Sequence, residues 1–222
     1  MGDPGCVVVF SKPARPGLVK TRLVGELSAQ QTAELHQAFL DDLLERLAGG
    51  PHEVRIAWAL ESGESKPASE LPAMTQRGRD LGERLFDALS RAARDHQWCA
   101  AVGSDHPELP GERIDAAFEL LRQGADLVLG PAEDGGYYLV AAARETLRRE
   151  VFSDIAWSTP RVLEETVERS AQLGLRVAFL PLGHDVDTPE DLPRLGSYLA
   201  AHPTECPRTR DLFERWGLVP AP

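Results

Sequence analysis

The chain has 222 residues, of which 42% are hydrophobic, enough for one compact domain with a sizeable core. Its formal net charge of -11 argues against broad nucleic-acid binding, and no apolar run approaches the ~20 residues needed to cross a bilayer. The first residues do not read as a secretory signal, because Asp3 and Pro4 precede an apolar run that Lys12 ends. The three cysteines lack paired spacing, so we expect buried thiols in a cytoplasmic protein.

Strand and helix patterns alternate along the chain. Short apolar runs predict strands at residues 6–10, 54–60, 99–102, 127–129, 137–140 and 177–180. Periodicity and capping residues predict helices at residues 28–47, 80–89, 114–123, 188–198 and 211–216. A further helix should begin at Thr159, with Pro160 in its first position. In the second helix Leu81, Leu85 and Leu89 should face the core, and residues 61–70 predict a surface loop.

This alternation predicts an α/β fold, namely a three-layer α/β/α Rossmann-like sandwich with a mostly parallel sheet. No internal repeat or linker divides the chain, so we expect a single domain over residues 1–222, with a core at about 5–202 and a C-terminal tail at 203–222. In such sheets ligands bind at the carboxyl ends of the strands. The residues that follow each predicted strand are therefore the candidates for function.

The loop after the first strand is basic in an otherwise acidic chain. Residues 11–25 contain Lys12, Arg15, Lys20 and Arg22 and no acidic residue. Such side chains bind phosphate oxygens, and glycine lets the backbone approach a ligand. The spacing is neither that of a P-loop nor that of a dinucleotide-binding turn. The loop therefore predicts a site for a small anionic ligand, with a solvated loop as the alternative.

Carboxylates follow the third and the last predicted strands. Asp105 comes directly after the third strand, and Asp185 and Asp187 follow the last one and point the same way if their segment is extended. Magnesium usually binds one or two carboxylates together with substrate phosphates. We therefore expect Asp105 and one of the late aspartates to hold Mg²⁺ or Mn²⁺, with helix capping as the alternative role for Asp105.

Two acids and two glycines follow the fourth strand. Glu133 or Asp134 can orient an acceptor hydroxyl or act as a base, and Gly135 and Gly136 let another molecule approach the backbone. A plain acidic turn is the alternative. Further along, Trp157 is a candidate for stacking on a ring, with core packing as the alternative.

Together these segments resemble the bacterial glycosyltransferase-like family of the nucleotide-diphospho-sugar transferase superfamily, which has the type-A glycosyltransferase fold. The resemblance extends roughly over residues 7–195 and is carried by the motifs FSKPARPGLVKTRL, GRDLGERL, GSDHPEL, GPAEDGGYYL, WST and DVDTPEDL. It implies a nucleotide bound over the first half of the sheet. The opening motif and DVDTPEDL also resemble guanylyltransferases that act on phospholactate or molybdenum cofactor.

The resemblance and the positions after the strands assign the candidate site residues. Nucleotide binding is assigned to Ser11, Lys12, Gly17, Lys20, Arg22, Asp80, Gly82, Arg84 and Ser104. Acceptor binding is assigned to Gly135, Gly136, Tyr137, Trp157 and Thr159. Catalytic roles are assigned to Asp105, Glu133 and Asp134, and metal binding to Asp105 and Asp187.

The chain departs from the resemblance at one position. Many glycosyltransferases of this fold carry Asp-x-Asp after the third strand, whereas here Gly103 replaces the first acid. The favoured function is a nucleotide-dependent, glycosyltransferase-like enzyme that uses a nucleotide sugar and a divalent metal. The alternatives are a nucleotidyltransferase that releases pyrophosphate from an NTP, and a nucleotide-binding protein without catalysis. The expected partners are a nucleotide sugar or NTP and a small-molecule acceptor, without nucleic acid or membrane, in a monomer or homodimer.

Overall fold

The computed structural model describes residues 3–219. These residues form the strands β1 Cys6–Ser11, β2 Glu53–Trp58, β3 Ala73–Thr75, β4 Trp98–Gly103, β5 Leu127–Pro131, β6 Tyr137–Ala143 and β7 Val177–Phe179. The α-helices are α1 Ala29–Ala48, α2 Leu81–Ala92, α3 Gly111–Arg122, α4 Val162–Gln172, α5 Asp191–Ala201 and α6 Pro207–Trp216. Short 3-10 helices lie at Thr21–Leu23 and Arg149–Phe152. Within this part of the chain, no helix combines the length and apolar character of a membrane span.

All strands belong to one sheet, in the order β3-β2-β1-β4-β6-β5-β7. β1 is parallel to β2 and β4, whereas β6 is antiparallel to its neighbours β4 and β5. Because β6 runs backwards, Leu139 near its start pairs with Val102 near the end of β4. The β5–β6 turn therefore lies at the same edge as the loops that follow β1 and β4. The predicted α/β fold with a mostly parallel sheet is confirmed.

Helices cover both faces of the sheet. Val7 and Val9 of β1 belong to the core cluster beneath α1 and α3, and Cys6 and Val8 belong to the cluster beneath α2 and α4. Successive side chains of a strand point to opposite faces, so a strand buried on both faces needs a continuous apolar run. This requirement explains the sequence of β1.

Helix α1 is buried on two sides. The Ser28 side chain accepts a hydrogen bond from the Gln31 backbone N–H, and the Gln31 side chain accepts one from the Ser28 N–H, which confirms the predicted capping box. Leu43 packs against the sheet, and Phe39 packs in a third cluster with α5 and α6. Helix α1 thus connects the sheet to the C-terminal helices.

On the side of α2, one strand was missed and one prediction of local structure is wrong. β3 was not predicted, because a strand of three residues is too short to show a period. Leu81 was expected in the core, but it is 41% exposed and lines a surface cleft at the start of α2. Leu85 and Leu89 are buried as predicted.

The start of α4 was placed two residues too early, at Pro160 instead of Val162. Thr159 is not the N-cap, which is Arg161; its hydroxyl donates to the Ala156 carbonyl at 2.7 Å and accepts from the Arg161 N–H at 3.3 Å in the turn before the helix. The N–H of Leu163 in the first turn donates instead to the Gly135 carbonyl at 2.9 Å. The helix therefore begins at Val162 and takes part of its N-terminal capping from the β5–β6 turn.

The N-terminus of α6 is held by a buried carboxylate of α1. Asp42 accepts hydrogen bonds from the Thr209 N–H at 2.8 Å, the Thr209 hydroxyl at 2.7 Å and the Arg208 N–H at 3.1 Å. The Asp42 side chain is fully buried. These contacts satisfy backbone donors that a helix leaves free at its start.

We expect Asp42→Ala to lower the free energy of unfolding by about 2–4 kcal/mol, since it leaves buried donors of α6 without an acceptor. Urea unfolding measures the change. Asp41→Ala is the matched control, because the neighbouring Asp41 bonds only the exposed Gln37 side chain among the described contacts, and its loss should cost less than about 0.5 kcal/mol. Equal losses in the two variants would contradict the role of Asp42.

Candidate functional site

A cleft of about 860 Å³ opens at the carboxyl edge of β1 and β4. Its walls are the loop after β1, the start of α2, the β5–β6 turn, the segment 157–160 and the loop after β7. The predicted site residues that line it are Ser11, Lys12, Lys20, Arg22, Arg84, Ser104, Asp105, Asp134, Gly136, Tyr137, Trp157, Thr159 and Asp187. The sheet topology thus gathers residues from distant parts of the chain into one cavity of the size of a small-molecule site.

The two predicted metal ligands converge at the floor of the cleft on the ammonium group of Lys20. The Lys20 Nζ lies 2.5 Å from Asp105 Oδ1 and 3.0 Å from Asp187 Oδ1, and it donates to the Val186 carbonyl at 2.7 Å. The Lys20 side chain is only 2% exposed. Its backbone has a φ of 47°, a left-handed conformation that costs a non-glycine residue about 1–2 kcal/mol. The surrounding contacts hold Lys20 in this strained position.

The charges of this cluster stabilise one another. Burial alone would lower the pKa of Lys20, but Asp105 and Asp187 outweigh it and raise the pKa above its usual range. The enclosed position of Asp105 would raise the pKa of that carboxyl, but Lys20 and, to a smaller extent, His36 hold it below its usual range. Both groups are therefore charged at neutral pH.

The same oxygen atoms fit a divalent cation. Two carboxylates and one carbonyl surround a single positive group, and hard cations such as Mg²⁺ and Mn²⁺ take oxygen ligands of these kinds. The ammonium of Lys20 stands in for that cation. A metal ion can take this place only if the Lys20 side chain withdraws from Asp105 and Asp187.

A buried polar network lies behind Asp105. The Ser11 hydroxyl lies 3.0 Å from the Ser104 hydroxyl and 3.2 Å from His36 Nε2, which is also 3.0 Å from the Lys12 carbonyl. His36 comes from α1, and its Nδ1 lies 3.9 Å from Asp105 Oδ1. Burial lowers the pKa of His36 despite the attraction of Asp105, which leaves the ring neutral at neutral pH. The predicted Ser11 and Ser104 are thus part of the cleft floor.

Asp185 is a third carboxylate at this position. Burial and then the negative charges of Asp105 and Asp187 raise its pKa to about 7. Its carboxyl therefore exchanges a proton near neutral pH. A positive charge bound by the neighbouring aspartates would favour the ionised form of Asp185.

Few cations of the basic loop remain free for a ligand. Lys20 is neutralised within the cluster, and Arg15 pairs with Glu61 and Glu64 outside the cleft. Arg22 is 70% exposed and only 4.0 Å from Asp187, and Lys12 is exposed at the cleft. Arg84 from α2 also lines this cavity. Lys12, Arg22 and Arg84 are therefore the accessible positive groups of the site.

The β5–β6 turn and the segment 157–160 form one wall. Asp134 is exposed in the cleft, and its Oδ1 accepts a hydrogen bond from the Gly136 N–H at 2.9 Å. Gly135 has a φ of 85° and lies so close to the Pro160 carbonyl that a Cβ would overlap it. The Tyr137 and Trp157 rings meet edge to face with centroids 6.3 Å apart. Of the residues predicted to bind the acceptor, Gly136, Tyr137, Trp157 and Thr159 line the cleft, whereas Gly135 does not.

Some predicted site residues lie outside the cleft wall. Glu133 points to His184, whose Nδ1 is 2.8 Å from its carboxylate, and Gly17 lies in an exposed turn. Asp80 caps α2 by accepting from the Glu83 N–H at 2.8 Å. Gly82 lets α2 pack against the backbone of Phe152, which a Cβ would overlap. The surroundings of Asp80 and Gly82 therefore give these residues structural roles, and they border a separate small pocket.

Sequence reasoning missed His36 and Gln76. His36 lies in the middle of a predicted helix, and its neighbours give no signal of a site; only the sheet order brings α1 over Asp105. The Gln76 side chain donates to the Ala57 carbonyl at 2.8 Å at the end of the unpredicted β3. A polar residue directly after a strand is the signal that could have found Gln76 once β3 was recognised.

We expect Lys20→Met to lower the free energy of unfolding by about 2–3 kcal/mol in chelator, because it leaves two facing carboxylates uncompensated. The loss should be smaller than for a fully buried pair, since the Asp105 and Asp187 side chains are 44% and 39% exposed. Millimolar Mn²⁺ should restore thermal stability in this variant more than in the unchanged protein. Lys12→Met, at an exposed position, is the control and should change neither property.

A loss of stability in Lys20→Met that Mn²⁺ does not restore would show that these carboxylates do not bind a divalent cation. Thermal unfolding with and without Mn²⁺ measures both the loss of stability and its recovery.

We expect Asp185→Asn to stabilise the metal-free protein increasingly as pH rises. A carboxyl whose folded pKa is raised from 3.8 to about 7 keeps a proton that the unfolded chain releases, so its contribution to stability falls between those pH values. The difference in melting temperature between the variant and the unchanged protein should widen by roughly 2–6 °C from pH 5 to pH 8. This corresponds to a change of about 1–2 kcal/mol in the difference between their free energies of unfolding. A constant difference across this range would refute the raised pKa.

Comparisons with known proteins agree with this architecture. A structure from Desulfovibrio desulfuricans, provisionally assigned as a nucleotide-diphospho-sugar transferase, is 31% identical with a TM-score of 0.88 and covers 97% of this chain and 96% of its own. Two more distant structures share the fold. Molybdopterin-guanine dinucleotide biosynthesis protein A of Archaeoglobus fulgidus is 15% identical with a TM-score of 0.53, over 85% of this chain and 95% of its own.

Glucosyl-3-phosphoglycerate synthase of Mycobacterium tuberculosis, solved with Mn²⁺, UDP and glucosyl-3-phosphoglycerate, is 14% identical with a TM-score of 0.53, over 99% of this chain and 82% of its own. No curated protein matches the sequence. Residues 43–159 match a family described as an uncharacterized protein conserved in bacteria, DUF2064. The chain is therefore a member of the DUF2064 family with the nucleotide-diphospho-sugar transferase fold.

Proposed function

We propose that this protein is a nucleotide-dependent transferase that binds a nucleotide sugar with a divalent metal and transfers the glycosyl group. The observation that carries the proposal is the convergence of Asp105, Asp187 and the Val186 carbonyl on one positive group at the cleft floor. A metal held there would neutralise the diphosphate that leaves during transfer. The similarity to the Desulfovibrio structure, which is provisionally assigned as a nucleotide-diphospho-sugar transferase, supports the same class of enzyme.

Three accessible cations are available in the cleft for the phosphates of a nucleotide. Lys12, Arg22 and Arg84 are the positive side chains of the cleft that are not neutralised within the floor cluster. The diphosphate of a nucleotide sugar carries about two negative charges and an NTP about four, and phosphate recognition depends on charge-assisted hydrogen bonds. Together with the two charges of a divalent metal, these side chains can balance either ligand, and the product that is released distinguishes the two reactions.

In this proposal the acceptor binds at the wall that the β5–β6 turn and the segment 157–160 form. Asp134 is exposed there and lies within the same cavity as the floor carboxylates, so it can orient an acceptor hydroxyl or take its proton. The Tyr137 and Trp157 rings supply the apolar surface beside it. Glu133 is a weaker candidate for this role, because it pairs with His184 outside the cleft.

A nucleotidyltransferase is the second candidate, and Gly103 is the observation that favours it. Only one carboxylate follows β4, and the second comes from the loop after β7. In this reaction the basic loop would hold an NTP, and a metal held by Asp105 and Asp187 would supply positive charge to its phosphates. Release of pyrophosphate marks this reaction, and release of a nucleoside diphosphate marks glycosyl transfer. Tight binding without either product would mark a nucleotide-binding protein that lacks catalysis.

Metal-dependent nucleotide binding tests the proposal. Calorimetry with UDP, GDP, their sugar conjugates, CTP and GTP should find one that binds with Mn²⁺ or Mg²⁺ and loses affinity in excess chelator. At about 100 times its Kd it should add about 2.7 kcal/mol to the free energy of unfolding. Asp105→Asn and Asp187→Asn should abolish the metal dependence, whereas the exposed Asp211→Asn on α6, the charge-matched control, should retain it.

Equal nucleotide affinity with metal and with chelator in the unchanged protein would refute the role of the metal. Equal effects of the Asp105, Asp187 and Asp211 variants would refute the assignment of the ligands.

A further inference from the structure

Three side chains that carry different metal-binding atoms meet at the amino ends of the central strands. Cys6 is the first residue of β1, Glu53 is the first residue of β2, and His96 lies two residues before β4. The Cys6 sulfur, a carboxylate oxygen of Glu53 and a ring nitrogen of His96 all lie within 4.8 Å of one another. The cleft lies at the other end of these strands, since Ser11 at the end of β1 is about 17 Å along the strand from Cys6.

The sheet and helix α2 bring the three side chains to one face. Cys6 pairs in register with Glu53 of the parallel strand β2, so both side chains point to the same side of the sheet. Cys6 belongs to the core cluster beneath α2. The His96 N–H donates to the carbonyl of Ala92, the last residue of α2, at 3.1 Å, which places His96 over the same face. Regular structure therefore fixes the positions of the three side chains.

The thiol of Cys6 differs from the other two thiols of the chain. Cys99 donates to the His96 carbonyl at 3.9 Å, and Cys206 donates to the Pro107 carbonyl at 3.1 Å. Cys6 is 0% exposed, and its sulfur has no hydrogen-bond partner within residues 3–219. A cysteine that only fills the core needs no polar atoms beside it. The sulfur of Cys6 instead faces a carboxylate and an imidazole.

The carboxylate and the imidazole are already oriented for a common ligand. Glu53 Oε2 lies 2.9 Å from His96 Nε2, and Glu53 Oε1 accepts a hydrogen bond from Arg55 Nε at 2.5 Å. Arg55 is held in turn by Asp95 at 3.0 Å. Outer contacts of this kind orient the ligands of bound metals. Around a tetrahedral zinc ion the oxygen and nitrogen would lie about 3.3 Å apart, so the pair has to open by only about 0.4 Å.

The donor atoms and the charges fit zinc. Thiolate and imidazole ligands favour Zn²⁺, whereas Mg²⁺ and Mn²⁺ favour oxygen ligands. The Cys6 thiolate, Glu53 and Asp95 carry three negative charges, and Arg55 with one Zn²⁺ carries three positive charges. The ion therefore neutralises this partly buried group, which lowers the cost of keeping its charges away from water.

We propose that Cys6, Glu53 and His96 form a zinc site that fastens the amino ends of β1 and β2 to the turn between α2 and β4. A water molecule completes the tetrahedron, because the Glu53 side chain is 37% exposed and admits solvent. Binding replaces the S–H bond of Cys6 with a bond from sulfur to zinc and releases the proton to solvent. The site does not depend on the proposed function, because it shares no residue with the cleft.

Cobalt spectroscopy tests the inference without any measurement of turnover. The probe is Co²⁺ added to the full chain in a reductant that contains no thiol. We expect a charge-transfer band from sulfur to cobalt that saturates at one Co²⁺ per chain and disappears when Zn²⁺ replaces the cobalt. Cobalt bound in the cleft gives no such band, since no cysteine of the described residues lines that cavity.

Variants identify the ligands. Cys6→Ala should abolish the band and weaken Zn²⁺ binding, measured against a chromogenic chelator, by at least about a hundredfold. Cys99→Ala is the matched control, because Cys99 is equally buried and pairs in register with Cys6 on β4, and it should retain the band and the Zn²⁺ affinity. His96→Gln, which can keep a hydrogen bond to Glu53, should weaken Zn²⁺ binding by at least about tenfold.

The absence of the band in the unchanged protein would overturn the inference, as would its persistence in Cys6→Ala. Equal losses in Cys6→Ala and Cys99→Ala would overturn the set of ligands. If Cys6→Ala does not fold, the band in the unchanged protein and the Zn²⁺ affinity of His96→Gln decide the matter. Asp105→Asn should leave the band unchanged, so a failure of this site and a failure of the metal in the cleft are separate results.

Discussion

Three segments that are distant in sequence meet at the ammonium group of Lys20. The loop after β1 supplies the lysine, the end of β4 supplies Asp105, and the loop after β7 supplies Asp187 and the Val186 carbonyl. Carboxylates this close would repel strongly in a partly desolvated site if no cation separated them. The lysine therefore allows the cleft floor to form in the absence of a metal, and the left-handed backbone of Lys20 is a cost that these ion pairs offset.

The rest of the structure brings these segments into register. Parallel pairing of β1 with β4 aligns their carboxyl ends, and the reversed β6 brings the acidic glycine turn to the same edge. Helix α1 crosses above this edge and adds His36 from a fixed support. The loop after β1 and the β5–β6 turn thus reach the same cleft from different strands of the sheet.

The fold follows closely from the sequence pattern, because strands buried on both faces and capped helices leave strong local signals. The capping box at Ser28 and the apolar run of β1 are examples, and the convergence of Asp105 with Asp187 follows from strand ends alone. Lys20 shows what the pattern could not supply. Its charge indicated phosphate binding. Its partners, however, depend on the left-handed conformation of its backbone and on a contact with Asp187, more than 160 residues away.

Most of the residues predicted after strand ends line one cavity, while their partners within it were not predictable. The same basic sequence is compatible with a lysine side chain that points to solvent and with one that binds a buried carboxylate. Composition does not determine where a side chain points. The helix residue His36 was missed for the related reason that its site is defined by tertiary packing and has no sequence neighbour of similar chemistry.

The close approach of Gly135 to the Pro160 carbonyl has a consequence for how this family can diversify. The two loops share a hydrogen bond, from Leu163 to Gly135, and leave no room for a side chain between them. A change of length in one loop would disturb the other, so the pair should be inherited and altered as a unit. Exchanging this wall of the cleft with that of a relative would accordingly require both loops from the same parent, including the glycine and the residues up to the first turn of α4.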